Sequence, residues 1–384
     1  MANYHLGHLD GRARKLVKVL AIDIGAGTED VLLYDDEKSS IENCVKMVLP
    51  SPCLIYAEKV RAATRHCMRL FVKGDTVGGG PLAHALKKHV EAGLRLYMTK
   101  RAAYTVRNSL DQVKGLGIEI VSESGPDSFK GETLVLEEVN VNTLCGFLKL
   151  FGEPFFDIDF VAVAVQDHGI FPEETSNRRF RINKMRELLE KNPKPETFAF
   201  REDEVPSCYP RMKSAVDAVK RQLPDAKVLV MDTSPDAILG CLLDSAVVDA
   251  DPILAVNVGN GHTMAAIISG GDVVALLEHH TRLLDPQKME KLLRDFADGK
   301  LCDEDVFEDN GHGMFYLKKP PSFSGIEKIV VTGPNRNILA KTGLLVHFAT
   351  PAGDVMMSGP AGLVEATKRK NAIAFAGIDY KLSF

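Results

Sequence analysis

The sequence of 384 residues predicts an α/β fold of two domains, in which mostly parallel sheets are flanked by helices. Three observations predict it. Apolar, β-branched runs alternate with segments of helical spacing, which is typical of sheets covered by helices. The pattern strand, Gly-rich turn, strand occurs twice, and more than half of the chain separates the two copies. The length also fits two domains of ordinary size.

The first copy of this pattern joins residues 17–24 (VKVLAIDI) to residues 30–34 (DVLLY) through the turn GAGTE. The second joins residues 253–258 (ILAVNV) to residues 264–268 (MAAII) through the turn GNGH. Two β-branched runs around a Gly-rich turn are typical of a β-hairpin. Because a solenoid needs a short, fixed period, the wide separation favours two related domains.

Further strands are predicted at residues 69–73, 160–165, 227–231 and 326–331. Helices are predicted at residues 82–92 and 235–243. A third predicted helix begins at Asp285-Pro286, which is a typical start signal, and a fourth begins near Asn337. The polar stretch 172–210 contains one amphipathic helix, whose predicted apolar face is Ile182, Met185, Leu188 and Leu189.

These elements predict three regions along the chain. An N-terminal domain spans residues 1–170, a connection or surface insertion spans residues 171–225, and a C-terminal domain spans residues 226–384. Segments 90–155 and 172–225 carry no motif from which a role can be predicted.

Composition excludes several classes of protein. Apolar residues make up 45% and charged residues 26% of the chain, so a globular protein is expected rather than a disordered one. The net charge of -5 makes nucleic acid an unexpected partner. No apolar run reaches the ~20 residues of a membrane-spanning helix, so no membrane partner is expected either.

The seven cysteines are odd in number and form no C-x-x-C pair, which argues against a disulfide framework and a zinc ribbon. Three cysteines within a short span, as in radical-enzyme iron–sulfur motifs, are also lacking. The N-terminus has no apolar stretch typical of a secretory signal. These features together predict a protein of the reducing cytoplasm.

The first turn offers a place for phosphate and a hydrated cation. Asp23 ends a predicted buried strand, where an acid is costly unless it has a partner. Gly25 and Gly27 let the backbone turn tightly and direct several N–H groups at one point, which suits phosphate oxygens. A plain hairpin with a capping aspartate is the alternative interpretation, and for one such turn alone it is the commoner one.

The second turn, Gly259 to Thr263, makes a pair with the first. Two Gly-rich hairpins, one from each half, would hold a phosphate chain from both sides. Thr28 and Thr263 would add hydroxyl donors. The pair is a more specific signal than either turn alone.

The two hairpins and the later segment VVTGPNRNIL resemble the phosphate-one, phosphate-two and adenosine motifs of the actin-like ATPase superfamily, which includes actin, sugar kinases and heat-shock chaperones. KVLVMDTSPDAILGCLLD resembles the strand and helix before phosphate-two, and PAGDVMMSGPAGLVEA resembles the closing helix. Within the superfamily, the sequence is most similar to an uncharacterised archaeal family that is sometimes labelled pyruvate formate-lyase activating enzyme-like. The missing cysteine triad argues against radical chemistry for that label.

The resemblance implies two ribonuclease H-like domains that close over ATP and Mg²⁺. Asp23 would hold a water on Mg²⁺, and the N–H groups of residues 25–28 and 259–263 would bind the β- and γ-phosphates. The implied nucleotide-binding positions are Gly25, Gly27, Thr28, Gly259, Gly261, Thr263, Gly333, Pro334 and Asn335. The last three would lie against the adenosine, where the family needs glycine for a close approach.

One position departs from the family pattern. Asn257 stands where the family usually has an aspartate at the start of phosphate-two. An amide can accept a hydrogen bond from a metal-bound water, but it cannot take a proton. Losing a general base typically costs ~10²–10⁴ in rate. Either another group acts as base, or turnover is slow, or the site binds nucleotide without useful hydrolysis. Ser234 likewise replaces the carboxylate that chaperones place before the proline.

Asp167 and His168 are candidates for the missing base, because they follow a predicted buried strand and so lie at its carboxyl end. In related kinases an acid in this region deprotonates the acceptor hydroxyl, whereas actin-like members use the glutamine, here Gln166, to orient water. The alternative interpretation of Asp167 is a loop acid that caps the next turn.

Two further segments have open interpretations. Gly78, Gly79 and Gly80 precede a predicted helix and would suit a substrate anion or a partner's carboxylate, although a flexible turn is equally consistent. A metal site at His279, His280 and residues 302–312 is disfavoured, because acidic runs are usually solvated loops.

Two functions remain open. The first is an enzyme, an ATPase or small-molecule kinase, that acts on an acceptor molecule or a partner protein. The second is a catalytically degenerate module that binds nucleotide or phosphate and regulates a partner, and Asn257 supports it. An α/β protein without a nucleotide is the third interpretation.

Overall fold

A computed structural model describes residues 16–153, 157–172 and 175–375. Most of the N-terminal stretch considered for a secretory signal therefore lies outside the described residues. Among the helices in the described ranges, none combines the length and apolar character needed to cross a membrane.

The strands are β1 (Lys18–Ile24), β2 (Thr28–Asp35), β3 (Val45–Pro50), β4 (Leu70–Gly74), β5 (Leu96–Thr99), β6 (Glu119–Val121), β7 (Glu132–Leu136), β8 (Phe160–Val165), β9 (Ala199–Arg201), β10 (Lys227–Met231), β11 (Ile253–Val258), β12 (His262–Ser269), β13 (Asp272–His280), β14 (Gly313–Tyr316), β15 (Lys328–Thr332) and β16 (Val346–Phe348).

The α-helices are α1 (Pro52–Arg65), α2 (Gly80–Glu91), α3 (Lys100–Ala103), α4 (Leu110–Gly115), α5 (Val141–Lys149), α6 (Asn177–Lys191), α7 (Pro210–Gln222), α8 (Thr233–Cys241), α9 (Pro286–Ala297), α10 (Asp303–Glu308) and α11 (Ser358–Lys370). The helix predicted near Asn337 is a 3-10 helix, Arg336–Lys341.

Two six-stranded sheets repeat one topology. In the first, β1, β2 and β3 form an antiparallel meander, and β8 and then β10 add in parallel on the other side of β1. In the second, β11, β12 and β13 form the meander, and β15 and then β16 add in parallel beyond β11. This duplicated order is that of two ribonuclease H-like halves. The predicted fold and both predicted hairpins are confirmed.

The division between the halves differs from the predicted boundary at residue 226. Strand β10 pairs with β8, and β9 pairs with β10, so residues 199–231 complete the first sheet. A short apolar run specifies a buried strand but not the sheet that it joins, because pairing is a long-range interaction. Between β3 and β8, the strands β4 to β7 form a separate four-stranded sheet with its own apolar core.

The two large sheets share one core. Residues that alternate along β1 face opposite sides: Ala21 packs into a cluster with Ala255 of the second sheet, whereas Leu20 packs under α7. Helices α8 and α11 cross within the shared layer at very short range. A Cβ at Gly240 would stand closer than 3.0 Å to the Ser358 backbone, and one at Gly362 would stand as close to that of Asp236. The strand ends of both sheets therefore meet at one cleft.

The predicted helix in the stretch 172–210 is α6, and Ile182, Met185 and Leu189 of its predicted apolar face are buried. The helix predicted from Asp285-Pro286 is α9, whose N-cap Asp285 accepts a hydrogen bond from the Lys288 N–H. Both predictions are confirmed. The acidic stretch predicted as a solvated loop instead contains α10 and leads to the buried His312.

Candidate functional site

The first Gly-rich turn joins β1 to β2, and hydrogen bonds fix its backbone. The Gly25 N–H donates to the Thr28 carbonyl over 2.9 Å, and the Ser51 hydroxyl donates to the Gly25 carbonyl over 2.7 Å. Within the described residues, the N–H groups of Ala26 and Gly27 donate to no protein acceptor. Since buried or enclosed amides need partners, these two are available to a ligand.

The second turn, between β11 and β12, has the same arrangement. The Gly259 N–H donates to the His262 carbonyl over 2.9 Å, and the Thr281 hydroxyl donates to the Gly259 carbonyl over 2.8 Å. In the part of the chain that the structure describes, the N–H groups of Asn260 and Gly261 have no protein acceptor. The repeat predicted from the sequence therefore extends to the hydrogen bonds of the turns.

The two turns meet across one cleft of about 1200 Å³. A Cβ at Gly27 would stand closer than 3.0 Å to the exposed Asn260 side-chain amide, so an alanine there would require that side chain to turn away. Residues of both turns line the cleft together with Asp23, Asn257 and Gly333. Four unpartnered amides thus converge from the two halves of the molecule.

Buried carboxyl groups lie beneath the first turn. Asp23 borders the cleft and accepts a hydrogen bond from the Thr233 hydroxyl over 2.6 Å. Asp30 and Asp236 are 6% and 0% exposed, and each has one carboxyl oxygen without a hydrogen-bond partner. Orphaned buried carboxyl oxygens are costly, and they suit a cation or its hydration shell.

Burial raises the pKa of all three of these carboxyl groups. The pKa of Asp23 is raised to about 7 and that of Asp30 to about 8, and that of Asp236 is also raised. Burial is the main cause, and repulsion between the neighbouring carboxylates adds to it. A divalent cation would reverse this effect by favouring the charged forms.

A buried cationic side chain borders the cleft opposite these acids. Arg211 is 8% exposed and forms a two-pronged ion pair with Glu138, with N–O distances of 2.8 and 3.2 Å. A Cβ at Gly78 would stand closer than 3.0 Å to the Arg211 guanidinium, so the glycine lets the arginine reach the cleft. Gly79 and Gly80 also line the cleft, as does the N-terminal end of α2.

Asp167 is placed as a helix cap. Its Oδ2 accepts the N–H groups of Arg211 and Met212 over 2.8 and 3.1 Å at the start of α7, and its Oδ1 accepts that of Gly169 over 2.9 Å. Burial nevertheless raises the pKa of Asp167 to about 6. Because both carboxyl oxygens are occupied by backbone donors, the geometry agrees with the capping alternative and makes Asp167 a positioning residue.

The predicted adenosine loop packs on the second turn. Gly333 has a φ of 94°, and a Cβ there would lie 2.7 Å from the Asn257 amide oxygen. Gly333 and Pro334 line the cleft, whereas the Asn335 amide donates to the Gly259 carbonyl over 3.1 Å and stabilises the turn. Thr28 lines the cleft, but the buried Thr263 hydroxyl contacts that of Thr281 at 3.0 Å. Thr263 does not line the cleft, and its role as a phosphate donor stays a prediction.

Four histidines collect at the other end of the second turn. His168, His262 and His280 border the cleft, and His312 packs behind them, with ring centroids 4.7 to 5.7 Å apart for the neighbouring pairs. Gln166 holds His262 through a contact of 2.9 Å between its amide nitrogen and Nδ1. The sequence signalled these histidines only as separate residues on distant segments.

Below the histidines, one buried arginine joins the two sheets. Arg181 of α6 makes two contacts to Asp232, at the end of β10, and two to Glu278 of β13, all between 2.6 and 3.0 Å. All three side chains are 4% exposed or less. Burial alone would raise the pKa of Glu278, but the Arg181 guanidinium lowers it below its ordinary value.

The residues that sequence reasoning missed are Asp30, Asp236, Glu138, Arg181, Arg211 and Glu278. For five of them the only local signal was a charged residue within a strand or helix, and Glu138, in the loop between β7 and α5, had none. The seven cysteines are all free and spread over the fold. Within the described residues, the one group of three or more side chains placed to ligate a metal consists of histidines. The cysteines therefore do not fit an iron–sulfur cluster.

Solved structures to which the chain is similar include an exopolyphosphatase-like protein, with 11% identity over 94% of this chain and 91% of the other and a TM-score of 0.31. The ROK hexokinase of Thermus thermophilus has 12% identity over 67% of this chain and a TM-score of 0.23, and the chain spans 47% of its length. A reductive activator for a corrinoid, iron-sulfur protein has 11% identity over 97% of this chain and a TM-score of 0.34, and the chain spans 63% of it.

No curated protein matches the sequence. The family model described as "Putative pyruvate format-lyase activating enzyme (DUF1786)" matches residues 77–338, more than half of the chain. This match agrees with the family predicted from the sequence, and the duplicated strand order gives the actin-like fold. The chain is a member of this family.

Proposed function

We propose that the protein binds Mg-ATP in the cleft and either hydrolyses it or transfers its terminal phosphoryl group. The observation that carries the proposal is the convergence of four unpartnered amides, those of Ala26, Gly27, Asn260 and Gly261, from two hairpins that belong to different sheets. Backbone donors of this kind suit a chain of phosphate oxygens, because they bring positive potential without side-chain volume.

The acids beneath the first turn fit the cation. Asp23 would hold a water of the bound Mg²⁺, and the orphaned oxygens of Asp30 and Asp236 provide the negative charge that such an ion needs nearby. Magnesium, when bound, would neutralise charge on the phosphates. Arg211 adds a fixed positive charge at the cleft, and Glu138 keeps its guanidinium oriented.

The rest of the cleft offers room for an acceptor. It extends past Gly78, Gly79 and Gly80 to Arg107 and Asn108, next to the four-stranded sheet. A small-molecule acceptor or a segment of a partner protein would bind there, and closure of the two halves would exclude water from the phosphates. Gln166 borders the same space and would orient an attacking water or hydroxyl.

A second function is favoured by two residues. Asn257 cannot take a proton, and both oxygens of Asp167 already accept backbone hydrogen bonds. A cleft with this composition binds nucleotide without an evident general base. The protein would then be a binding module whose closure regulates a partner protein. For the enzyme and for the module alike, we propose a cytoplasmic location.

Single-turnover measurements with labelled ATP distinguish the two functions. For an enzyme, phosphate is released by the wild type, and Asp23→Asn lowers the rate by at least about 100-fold. The exposed Asp225→Asn is the matched control and should leave the rate unchanged. Binding of a non-hydrolysable analogue without turnover under any condition supports the module. No rise of melting temperature with Mg-ATP contradicts both functions.

A further inference from the structure

Three histidines from distant segments meet at the floor of the cleft. His168 follows β8 of the first sheet, His262 begins β12 of the second, and His312 precedes β14. One ring nitrogen of each lies within 4.8 Å of those of the other two. The Nε2 atoms of His168 and His312 are 3.2 Å apart. The cluster therefore joins side chains from both halves of the molecule.

We propose that His168, His262 and His312 form a binding site for one divalent transition-metal ion of the zinc class. Zinc–nitrogen bonds are ~2.0–2.1 Å long, so two nitrogens in a tetrahedral site stand ~3.3 Å apart. The distance of 3.2 Å between the Nε2 atoms of His168 and His312 is close to this value, and a His262 nitrogen lies within 4.8 Å of the ligand nitrogens of both. Imidazole nitrogen favours zinc, iron, cobalt and nickel, whereas magnesium favours oxygen.

The position of Glu278 indicates which nitrogen of His312 would bind the ion. His312 is 1% exposed, its Nε2 faces His168, and its Nδ1, which has no hydrogen-bond partner, faces Glu278. Imidazole ligates a metal in its neutral form, with the proton on the ring nitrogen that does not bind the ion.

A carboxylate lies behind the histidine cluster. Glu278 lies 3.9 Å from His312 Nδ1, and a carboxylate behind a ligating histidine is the usual support for such a ligand. Glu278 and Asp232 together carry two negative charges, and Arg181 between them carries one positive charge. The buried network below the histidines therefore has a net negative charge of one.

The site has the form of a metal centre with an open position. Three protein ligands are supplied, and His168 and His262 border the cleft, so a fourth position faces the space next to the second turn. Catalytic zinc sites have three protein ligands and one position for water or substrate. Because the ligands come from both halves, a bound ion would also join the halves. The inference does not depend on Mg-ATP binding.

The test uses the full chain without a polyhistidine tag, stripped with a chelator and titrated with Co²⁺ and with Zn²⁺. We expect one equivalent of either ion and, for Co²⁺, the visible absorption of a tetrahedral nitrogen site. Excess Mg²⁺ should not displace it. His312→Gln and His168→Gln should each weaken binding by at least about 100-fold, since even second-layer changes cost 10–100-fold. The exposed His66→Gln is the matched control.

Circular dichroism of each variant checks folding. If His312→Gln does not fold, His168→Gln at the cleft gives the same test. Folded wild-type protein that binds no Co²⁺ or Zn²⁺ overturns the proposal, and so does unchanged affinity in the histidine variants. Mg-ATP thermal shifts on the same samples show whether the nucleotide function fails separately.

Discussion

Gly27 and Asn260 lie against each other across the cleft, although 233 positions separate them in the sequence. One belongs to the turn after β1 and the other to the turn after β11. The contact brings the unpartnered amides of both turns to one place, and the proposed phosphate site depends on it. If the two turns lay on opposite surfaces of the molecule, no phosphate site could form between them.

Gly27→Ala should weaken Mg-ATP binding by about 10-fold. The added Cβ forces the exposed Asn260 side chain out of its position between the two turns, where the phosphates are proposed to bind. Calorimetric titration with a non-hydrolysable analogue measures the effect. Gly146→Ala, where a Cβ meets nothing within 4 Å, is the control. Asn260→Ala in the same chain should restore part of the affinity, and no restoration would show that this contact is not the cause.

Asp23→Asn should make the nucleotide-free protein more stable at pH 8. The pKa of Asp23 is about 7 in the folded chain and 3.8 as an ordinary value, so the folded state retains a proton that the unfolded state loses. The stabilisation that this retained proton gives the folded state is fully present below pH 3.8. It is lost as the pH rises to about 7, and the free energy of unfolding falls by at most ~1.4 kcal/mol per pH unit.

Urea denaturation of the wild type and of Asp23→Asn between pH 4 and pH 8, without Mg²⁺, checks this prediction. The variant's advantage in unfolding free energy should grow with pH and level off above pH 7. A constant difference across the range would show that the Asp23 carboxyl is not protonated in the folded protein.

Arg181→Ala should lower the free energy of unfolding by about 3–5 kcal/mol. Removing the guanidinium leaves Asp232 and Glu278 buried and without their partner, and uncompensated buried charges are strongly destabilising. Arg61→Ala, whose partner Glu58 is also exposed, should change it by less than ~0.5 kcal/mol. Guanidinium denaturation compares them. A small effect of Arg181→Ala would mean that water enters the network.

Gly362→Ala should destabilise the protein by about 1–3 kcal/mol, because its Cβ would press on the Asp236 backbone where α11 crosses α8. The helix backbones cannot separate without opening the core that the two sheets share. Gly115→Ala, a helical position where a Cβ meets nothing within 4 Å, should be neutral or slightly stabilising. Thermal unfolding followed by circular dichroism measures both. Equal melting temperatures would contradict the close crossing of α8 and α11.

Local patterns carried the prediction of the hairpins and turns. The repeat of strand, Gly-rich turn and strand predicted that Gly25 and Gly259 occupy equivalent positions, and both N–H groups close their turns in the same way. The start of α9 at Asp285-Pro286 was predicted for the same reason, since a cap acts on its own first turn. The catalytic roles proposed for Asp23 and Asn257 stay predictions.

The sequence by itself determined the strands, the turns and the alternation of apolar residues, because these depend on neighbouring residues and on periods of two and 3.6. Only the tertiary structure decided that β10 joins the first sheet, that Asp167 caps α7, and that three histidines meet. Pairing, burial and the loss of hydration depend on residues far apart in the chain, and no local pattern records which of them come together.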